Sequence, residues 1–166
     1  MADQIPMTPT GLQKLKDELK RLKTVDRPKN VRDIEEARAH GDLSENAEYH
    51  AAKDRQSHIV GRMEQVEDWL ARAEVIDVSK LSGDKVLFGA TVTLSDPDSD
   101  KTVTYRIVGE LEADIKKGMV SVNSPIARGL IGREVGDEVR IHTPGGAKTY
   151  EITEVKFVDA EHVSSE

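Results

Sequence analysis

Two heptad patterns, separated by a short connection, dominate the N-terminal half of the sequence. In the first, leucines recur at spacings of 3, 4 and 3 residues, at Leu12, Leu15, Leu19 and Leu22. The second alternates spacings of 4 and 3 through Ala52, Gln56, Ile59, Met63, Val66, Leu70 and Ala73. Such spacing is typical of helices that pack as a coiled coil. Because few residues join the two patterns, they predict an antiparallel helical hairpin.

The first helix has signals at both ends. Thr8-Pro9 predicts its start, since threonine is a favoured N-cap and proline at the first helical position loses no hydrogen bond. Gly41 predicts its end, as the residue that follows the C-cap. Pro28 interrupts the heptad pattern, which Val31 and Ile34 resume. We therefore expect one long helix with a kink near Pro28, and a true break there is the alternative.

After the polar segment 79–85 the sequence favours β-structure. Strands are predicted over 86–94 and 102–110, and a hairpin over 138–143 and 148–158. Ser124-Pro125 predicts the start of a short helix that Gly132 closes. The predicted fold class is α+β. An antiparallel coiled-coil hairpin over residues 1–78 is followed by a small antiparallel β-sheet domain with a short helix over residues 79–166.

Composition limits the class of partner. The formal net charge of −7 leaves no broad positive field for binding a phosphate backbone. The absence of cysteine excludes disulfides and thiolate zinc sites, and it fits a reducing compartment. No apolar stretch approaches the roughly 20 residues that cross a bilayer, and the N-terminus lacks the features of a secretory signal. We expect a soluble, cytoplasmic protein whose contacts with nucleic acid are local or arranged by a partner protein.

The connection between the helices carries two acidic residues, Asp42 and Glu45. In a structural interpretation, the pair caps the second helix in a box-like arrangement. In a functional interpretation, the two carboxylates share a face at the helix start and offer oxygens to one hard cation. The two interpretations are compatible. Because Mg²⁺ prefers six oxygen ligands, two carboxylates would hold it weakly unless they lie beside another protein's metal centre.

Other chemistry-bearing residues have ordinary structural interpretations. The aspartates of the segment 96–100 resemble the start of an EF-hand loop, but Lys101 and Ile107 stand where that loop requires glycine and glutamate. A hairpin loop is therefore predicted. Tyr49 and Trp69 lie within the predicted helical hairpin, where packing or stacking is the expected role.

Several segments in both halves of the chain closely resemble one known protein family. They are IPMTPTGLQKLKDELKRLK, ARAHGDLSENAEYHAAKDRQ, VIDVSKL, FGATVTL, TYRIVGE and SVNSPIARGLIG, with GDEVRIHTPGG further on. These segments are similar to those of the Gre transcript cleavage factors, over nearly the whole chain up to about Phe157. The resemblance implies a coiled coil followed by an FKBP-like domain. It further implies that the FKBP-like domain docks at the rim of the RNA polymerase secondary channel and that the coiled coil reaches down the channel.

The resemblance also implies a role for the acidic pair. The family's tip acids correspond to Asp42 and Glu45, supplied in trans to polymerase. They would stabilise the second Mg²⁺ at the polymerase active centre and help to activate water, so that polymerase cuts its own backtracked RNA. The Mg²⁺ would be shared with polymerase, and none would be bound stably by the chain alone.

Two further groups of residues receive roles from the resemblance. Arg38 and Lys53 correspond to a basic patch that would hold the nascent RNA 3′ segment. Lysine lacks the bidentate fork of the arginine often found at the second position. Contacts to polymerase are expected from the segment that contains Ser121, Asn123, Ser124 and Pro125. The chain would then be a monomeric cofactor of polymerase and not itself an enzyme.

Two alternatives remain. The FKBP-like domain suggests a prolyl isomerase, but that activity needs an aromatic-lined pocket. The sheet region offers only Phe88, Tyr105, Tyr150 and Phe157, several of them at expected core positions. The other alternative is an inhibitory Gre homologue that occupies the polymerase channel without stimulating cleavage. The acidic pair at its usual family spacing argues against that second alternative.

Overall fold

The computed structural model describes residues 3–42, 46–143 and 145–158. Within these ranges the chain forms four α-helices and seven strands. They belong to two compact units: a helical unit, Gln13–Arg72, and a sheet unit, formed by the residues up to Leu12 together with those from Ala73 onward. No helix in these ranges is long and apolar enough to cross a bilayer. A helical hairpin followed by a sheet confirms the predicted α+β class, while the domain division at residues 78 and 79 stays a prediction.

The first arm of the hairpin stays helical from Pro9 to Ala39. Helix α1 (Pro9–Arg21) and helix α2 (Arg27–Ala39) are joined by a π-helical segment, Leu22–Asp26. Pro28 explains this segment, because proline lacks an N–H and its ring clashes with the carbonyl four residues earlier. The wider π-helical turn accommodates the clash without ending the helix. The second arm is helix α3 (Ala47–Arg72).

The π-helical segment shifts the face that the first arm buries. Leu15 and Leu22 are buried seven residues apart, but the next buried residue, Asn30, follows after eight. One inserted residue is what a π-helical turn adds to a heptad pattern. Val31 is consequently 43% exposed while Asn30 is 4% exposed. The prediction that Val31 resumes the heptad pattern is therefore wrong. The buried amide of Asn30 instead donates from Nδ2 to the Ala52 carbonyl at 2.9 Å.

The larger sheet has five strands in the order β5-β4-β3-β7-β6. They are β3 (Thr91–Ser95), β4 (Thr102–Val108), β5 (Met119–Ser121), β6 (Glu138–Thr143) and β7 (Gly146–Lys156). Three of the four pairings are antiparallel, as predicted, but β4 and β5 run parallel, so the sheet is mixed. Apolar side chains of one sheet face pack with helix α4 (Pro125–Leu130), forming a core that includes Val92, Leu94, Ile107, Ile152, Ala127 and Leu130.

One predicted strand is shorter than expected. The sequence predicts extended structure over 86–94, whereas β3 begins only at Thr91. The preceding residues form a turn, in which the Ala90 N–H donates to the Leu87 carbonyl at 3.0 Å. Gly89 adopts φ +86°, a conformation that glycine tolerates and that ends a regular strand. The prediction of a strand is therefore wrong for residues 86–90.

The start of α1 is bound to a distant part of the sheet unit. Strand β1 (Ile5–Met7) pairs in parallel with β2 (Ala73–Val75). The Glu112 carboxylate accepts from the Thr8 N–H at 3.1 Å, from the Thr8 hydroxyl, and from the Gly109 N–H at 2.9 Å. The Thr8 Oγ1 in turn accepts from the Gly11 N–H at 3.1 Å, which confirms Thr8 as the N-cap. A Cβ at Gly11 would overlap with the Glu112 carboxyl group, so a larger residue at this position would have to displace that carboxylate from its hydrogen bonds.

Candidate functional site

The connection between α2 and α3 is organised by Gly41 and Asn46. Helix α2 ends with His40 as its C-cap, and Gly41 follows with φ +111°, as the sequence predicts for a helix end. Asn46 Oδ1 accepts from the Tyr49 N–H at 3.0 Å, which is the N-cap arrangement at the start of α3. Asn46 Nδ2 donates to the Ala37 carbonyl near the end of α2 at 2.7 Å. One asparagine therefore caps both helices.

This arrangement corrects the structural interpretation of the acidic pair. Because α3 begins at Ala47 and Asn46 is its N-cap, Asp42 lies four positions too early to cap this helix. Glu45 lies outside the described residues, so its predicted role stays a prediction. Asn46 was not predicted as the cap, although asparagine is a favoured N-cap residue and its position in the sequence could have indicated this role.

Asp42 is an exposed carboxylate just beyond the end of α2. Its oxygens are the hard donors that Mg²⁺ prefers. In the part of the chain that the structure describes, no group of three or more histidine, aspartate or glutamate side chains is placed to hold a metal ion. Asp42 therefore fits Mg²⁺ as one donor, and an octahedral site would need further oxygens from another source.

Arg38 and Lys53 lie on the two helices near the connection. The Arg38 guanidinium carbon is 5.9 Å from the centroid of the Tyr49 ring, within the range of a cation–π contact. Lys53 Nζ donates to Gln56 Oε1 at 2.8 Å. Across residues 3–42, 46–143 and 145–158, neither side chain forms an ion pair with a carboxylate. Their positive charges are thus not neutralised by an acid of that part of the chain.

Farther from the connection, the two arms are joined by a bidentate ion pair between Glu18 and Arg62. Arg62 Nη2 donates to Glu18 Oε1 at 2.8 Å, and Arg62 Nε donates to the other carboxylate oxygen. The hydrogen bond from Arg62 lowers the pKa of Glu18 below its ordinary value. The same guanidinium lies 5.0 Å from the centroid of the Trp69 ring.

The four residues predicted to contact polymerase form one turn between β5 and α4. Ser121 Oγ accepts from the Asn123 N–H at 3.1 Å, and Ser124 Oγ accepts from the Ala127 N–H at 3.2 Å. The second bond makes Ser124 the N-cap of α4, with Pro125 at the first helical position, as the sequence predicts. The serines therefore shape the turn, whereas Asn123 and Pro125 are exposed.

The remaining candidates of the sequence analysis have structural roles. The aspartate-rich segment forms the loop between β3 and β4, as predicted. There the Asp98 N–H donates to Asp96 at 3.0 Å and lowers the pKa of the Asp96 carboxyl. Three aromatic residues, Tyr105, Tyr150 and Phe157, pack partly buried against the core of the sheet unit.

Two family models together match almost the whole chain. Residues 5–75 match the model described as transcription elongation factor, N-terminal, and residues 81–157 match the model described as transcription elongation factor, GreA/GreB, C-term. Both halves are thus those of a transcription elongation factor. The chain belongs to the GreA/GreB family, which confirms the resemblance seen in the sequence.

Individual relatives agree with this assignment. Transcription elongation factor GreA of Anaeromyxobacter sp. (strain K) is 66% identical over 158 residues, which are 95% of this chain and 95% of the relative. Transcription elongation factor GreA of Phenylobacterium zucineum (strain HLK1) is 61% identical over 156 residues, 94% of this chain and 99% of the relative. A crystal structure of GreA factor homolog 1 (Gfh1) of Thermus thermophilus is 26% identical, with a TM-score of 0.42, and covers 92% of this chain and 99% of that chain.

Proposed function

We propose that this protein stimulates the cleavage of backtracked RNA by RNA polymerase. The observation that carries the proposal is the exposed carboxylate of Asp42 at the helical connection of a GreA/GreB family member. A single described carboxylate is not a catalytic centre by itself. In this proposal polymerase is the enzyme, and this chain, as a member of the GreA/GreB family, supplies side chains to it.

The residues at the connection divide the work between holding RNA and assisting the chemistry. Arg38 and Lys53 attract the phosphates of the RNA 3′ segment through their charge. Asp42, with Glu45 as its predicted partner, places carboxylate oxygens beside the scissile phosphate. These oxygens orient the attacking water and accept its proton. The carboxylates of Asp42 and Glu45 would help to hold a Mg²⁺ ion shared with polymerase, and that ion would supply neutralisation of the negative charge that develops during cleavage.

The turn Ser121–Pro125 is proposed to dock at the rim of the polymerase secondary channel. Its two serine hydroxyls accept hydrogen bonds from the backbone N–H groups of Asn123 and Ala127, which fixes the local shape of the turn and the start of α4. The exposed side chains of Asn123 and Pro125 then face the partner. The chain is proposed to act as a monomer.

The test uses reconstituted, backtracked elongation complexes and the variant Asp42→Asn, which removes charge without changing size. Stimulated cleavage should fall about a hundredfold or more, the usual contribution of a positioned acid–base group. Polymerase affinity should stay the same. Asp54→Asn, which changes an exposed acid on α3, is the matched control and should stimulate cleavage by polymerase as strongly as the wild type does.

A second variant separates docking from chemistry. Combined Asn123→Ala and Pro125→Ala changes should raise the half-saturating concentration of the factor and leave the rate at saturation unchanged. Wild-type rates in Asp42→Asn would contradict the proposal, and so would RNA hydrolysis without polymerase. Slowed elongation without stimulated cleavage by the wild-type protein would instead indicate the channel-blocking inhibitor.

A further inference from the structure

An aromatic ring accompanies the two basic residues of the connection. Tyr49 lies in the first turn of α3, and Lys53 follows one turn later on the same face. The Arg38 guanidinium lies 5.9 Å from the centroid of the Tyr49 ring, and the His50 ring meets the Tyr49 ring edge-on with centroids 5.7 Å apart. We call Arg38, Tyr49, His50 and Lys53 the tip cluster. The Asn46 cap fixes the backbone of Tyr49 within it.

Tyr49 is not a core residue of the hairpin. The residues buried between the helices at this end include Ile34, Ala37 and Ala52, which are 7%, 2% and 1% exposed. Other buried side chains, such as Met63 and Val66, lie farther along α3. Tyr49 itself is half-buried. Part of its ring surface is therefore accessible.

The second arginine–aromatic pair of the hairpin gives a contrast. The Arg62 guanidinium lies 5.0 Å from the Trp69 ring centroid, but Glu18 binds it through two hydrogen bonds. An internal acid thus neutralises that pair. Arg38 forms no ion pair with a carboxylate among the residues described by the structure, so none of those acids neutralises its charge beside Tyr49.

We propose that Tyr49 is a stacking platform for one unpaired base of the RNA strand whose phosphates Arg38 and Lys53 hold. Single-stranded nucleic acid is bound by this combination, since the ring stacks on a base while neighbouring basic side chains follow the backbone. A duplex does not present an open base face, so the ligand is single-stranded RNA. The inference rests on the proposed function and adds a residue that positions the strand for cleavage.

The test compares Tyr49→Leu with Tyr49→Trp in backtracked complexes whose extruded 3′-terminal nucleotide is either normal or abasic. At a saturating concentration of the factor, Tyr49→Leu should reduce the rate of stimulated cleavage about fivefold to tenfold. This loss corresponds to the lower part of the range of free energies measured for a base stacked on an aromatic ring. A value in the lower part is expected because the Arg38 guanidinium already lies over the Tyr49 ring. Tyr49→Trp should restore the wild-type rate. With the abasic nucleotide, the wild type should show the same loss and Tyr49→Leu no further loss.

Trp69→Leu is the matched control, since it removes the other arginine–aromatic contact and should leave the saturated rate unchanged. If the wild type gives no stimulation, the proposed function and this inference fail together. Two results overturn the stacking inference alone, provided that Asp42→Asn abolishes stimulation. They are a wild-type rate in Tyr49→Leu, and a loss in Tyr49→Leu that is equally large with the abasic nucleotide.

Discussion

Asn46 joins the ends of α2 and α3, and its replacement should destabilise the hairpin. Asn46→Ala removes both the acceptor for the Tyr49 N–H and the donor to the Ala37 carbonyl. Loss of an N-cap costs about 1 kcal/mol. Loss of one partly buried hydrogen bond costs about 1 kcal/mol more. We therefore expect the free energy of unfolding of the helical unit to fall by about 2 kcal/mol.

Asn46→Asp separates the two contributions. Its carboxylate still accepts from the Tyr49 N–H, so the N-cap of α3 remains. It has no donor for the Ala37 carbonyl, so about 1 kcal/mol of the loss should persist. The order of stability should be wild type, then Asn46→Asp, then Asn46→Ala.

The assay follows urea unfolding through the fluorescence of Trp69, the single tryptophan of the chain, which lies on α3. With a slope of about 1 kcal/mol per M urea, a loss of 2 kcal/mol lowers the midpoint by about 2 M. Asn123→Ala changes an exposed asparagine of the sheet unit and should leave this transition unmoved. An Asn46→Ala midpoint within about 0.3 M of the wild type would refute the double-cap reasoning. Equal losses in the alanine and aspartate variants would refute it too.

Replacing glycine by alanine at two helical positions should change thermal stability in opposite directions. Gly11→Ala forces a Cβ into the Glu112 carboxyl group and should cost about 1–3 kcal/mol. Gly61→Ala, whose Cβ meets nothing within 4 Å, should add about 0.5–1 kcal/mol of stability. A thermal unfolding midpoint of Gly11→Ala equal to that of the wild type would contradict the close approach of Gly11 to the Glu112 carboxyl group. The Arg62 hydrogen bond lowers the folded-state pKa of Glu18, so its stabilisation is complete above the ordinary glutamate pKa and is lost as the pH falls through the lowered value. Glu18→Gln should flatten the acid limb of stability against pH and cost less than about 1 kcal/mol at neutral pH, since both partners are about a third or more exposed. An acid limb identical to that of the wild type would contradict this assignment.

Several parts of the fold and of the candidate site could be predicted because their signals are local. Heptad spacing predicts the hairpin, and a hairpin necessarily brings Arg38, Asp42 and Lys53 to one end. The Thr8-Pro9 and Ser124-Pro125 pairs predict helix starts, because a cap and the first helical residue are adjacent in sequence. Gly41 predicts a helix end for the same reason.

Tertiary packing decided which residues of the first helical arm are buried beyond Pro28. A proline predicts an interruption, but it does not determine how the backbone relaxes around the missing N–H. The π-helical turn adds one residue, and packing against α3 then selects Asn30 in place of Val31. The N-cap of α3 is a similar case. Asn46 and Asp42 are both favoured N-cap residue types, and only the residue at which α3 begins determines which of them caps the helix.

The remaining features required the folded chain because they join residues far apart in sequence. Strands β1, β2 and β5 have three residues each, too few to show a periodicity. Their parallel partners, and the Glu112 carboxylate that binds Thr8 from 104 positions away, are selected only when the two segments meet. Local sequence therefore determined the helices, their ends and the charges at the connection. Tertiary structure decided the pairings and the facing side chains, because those depend on partners that no local pattern records.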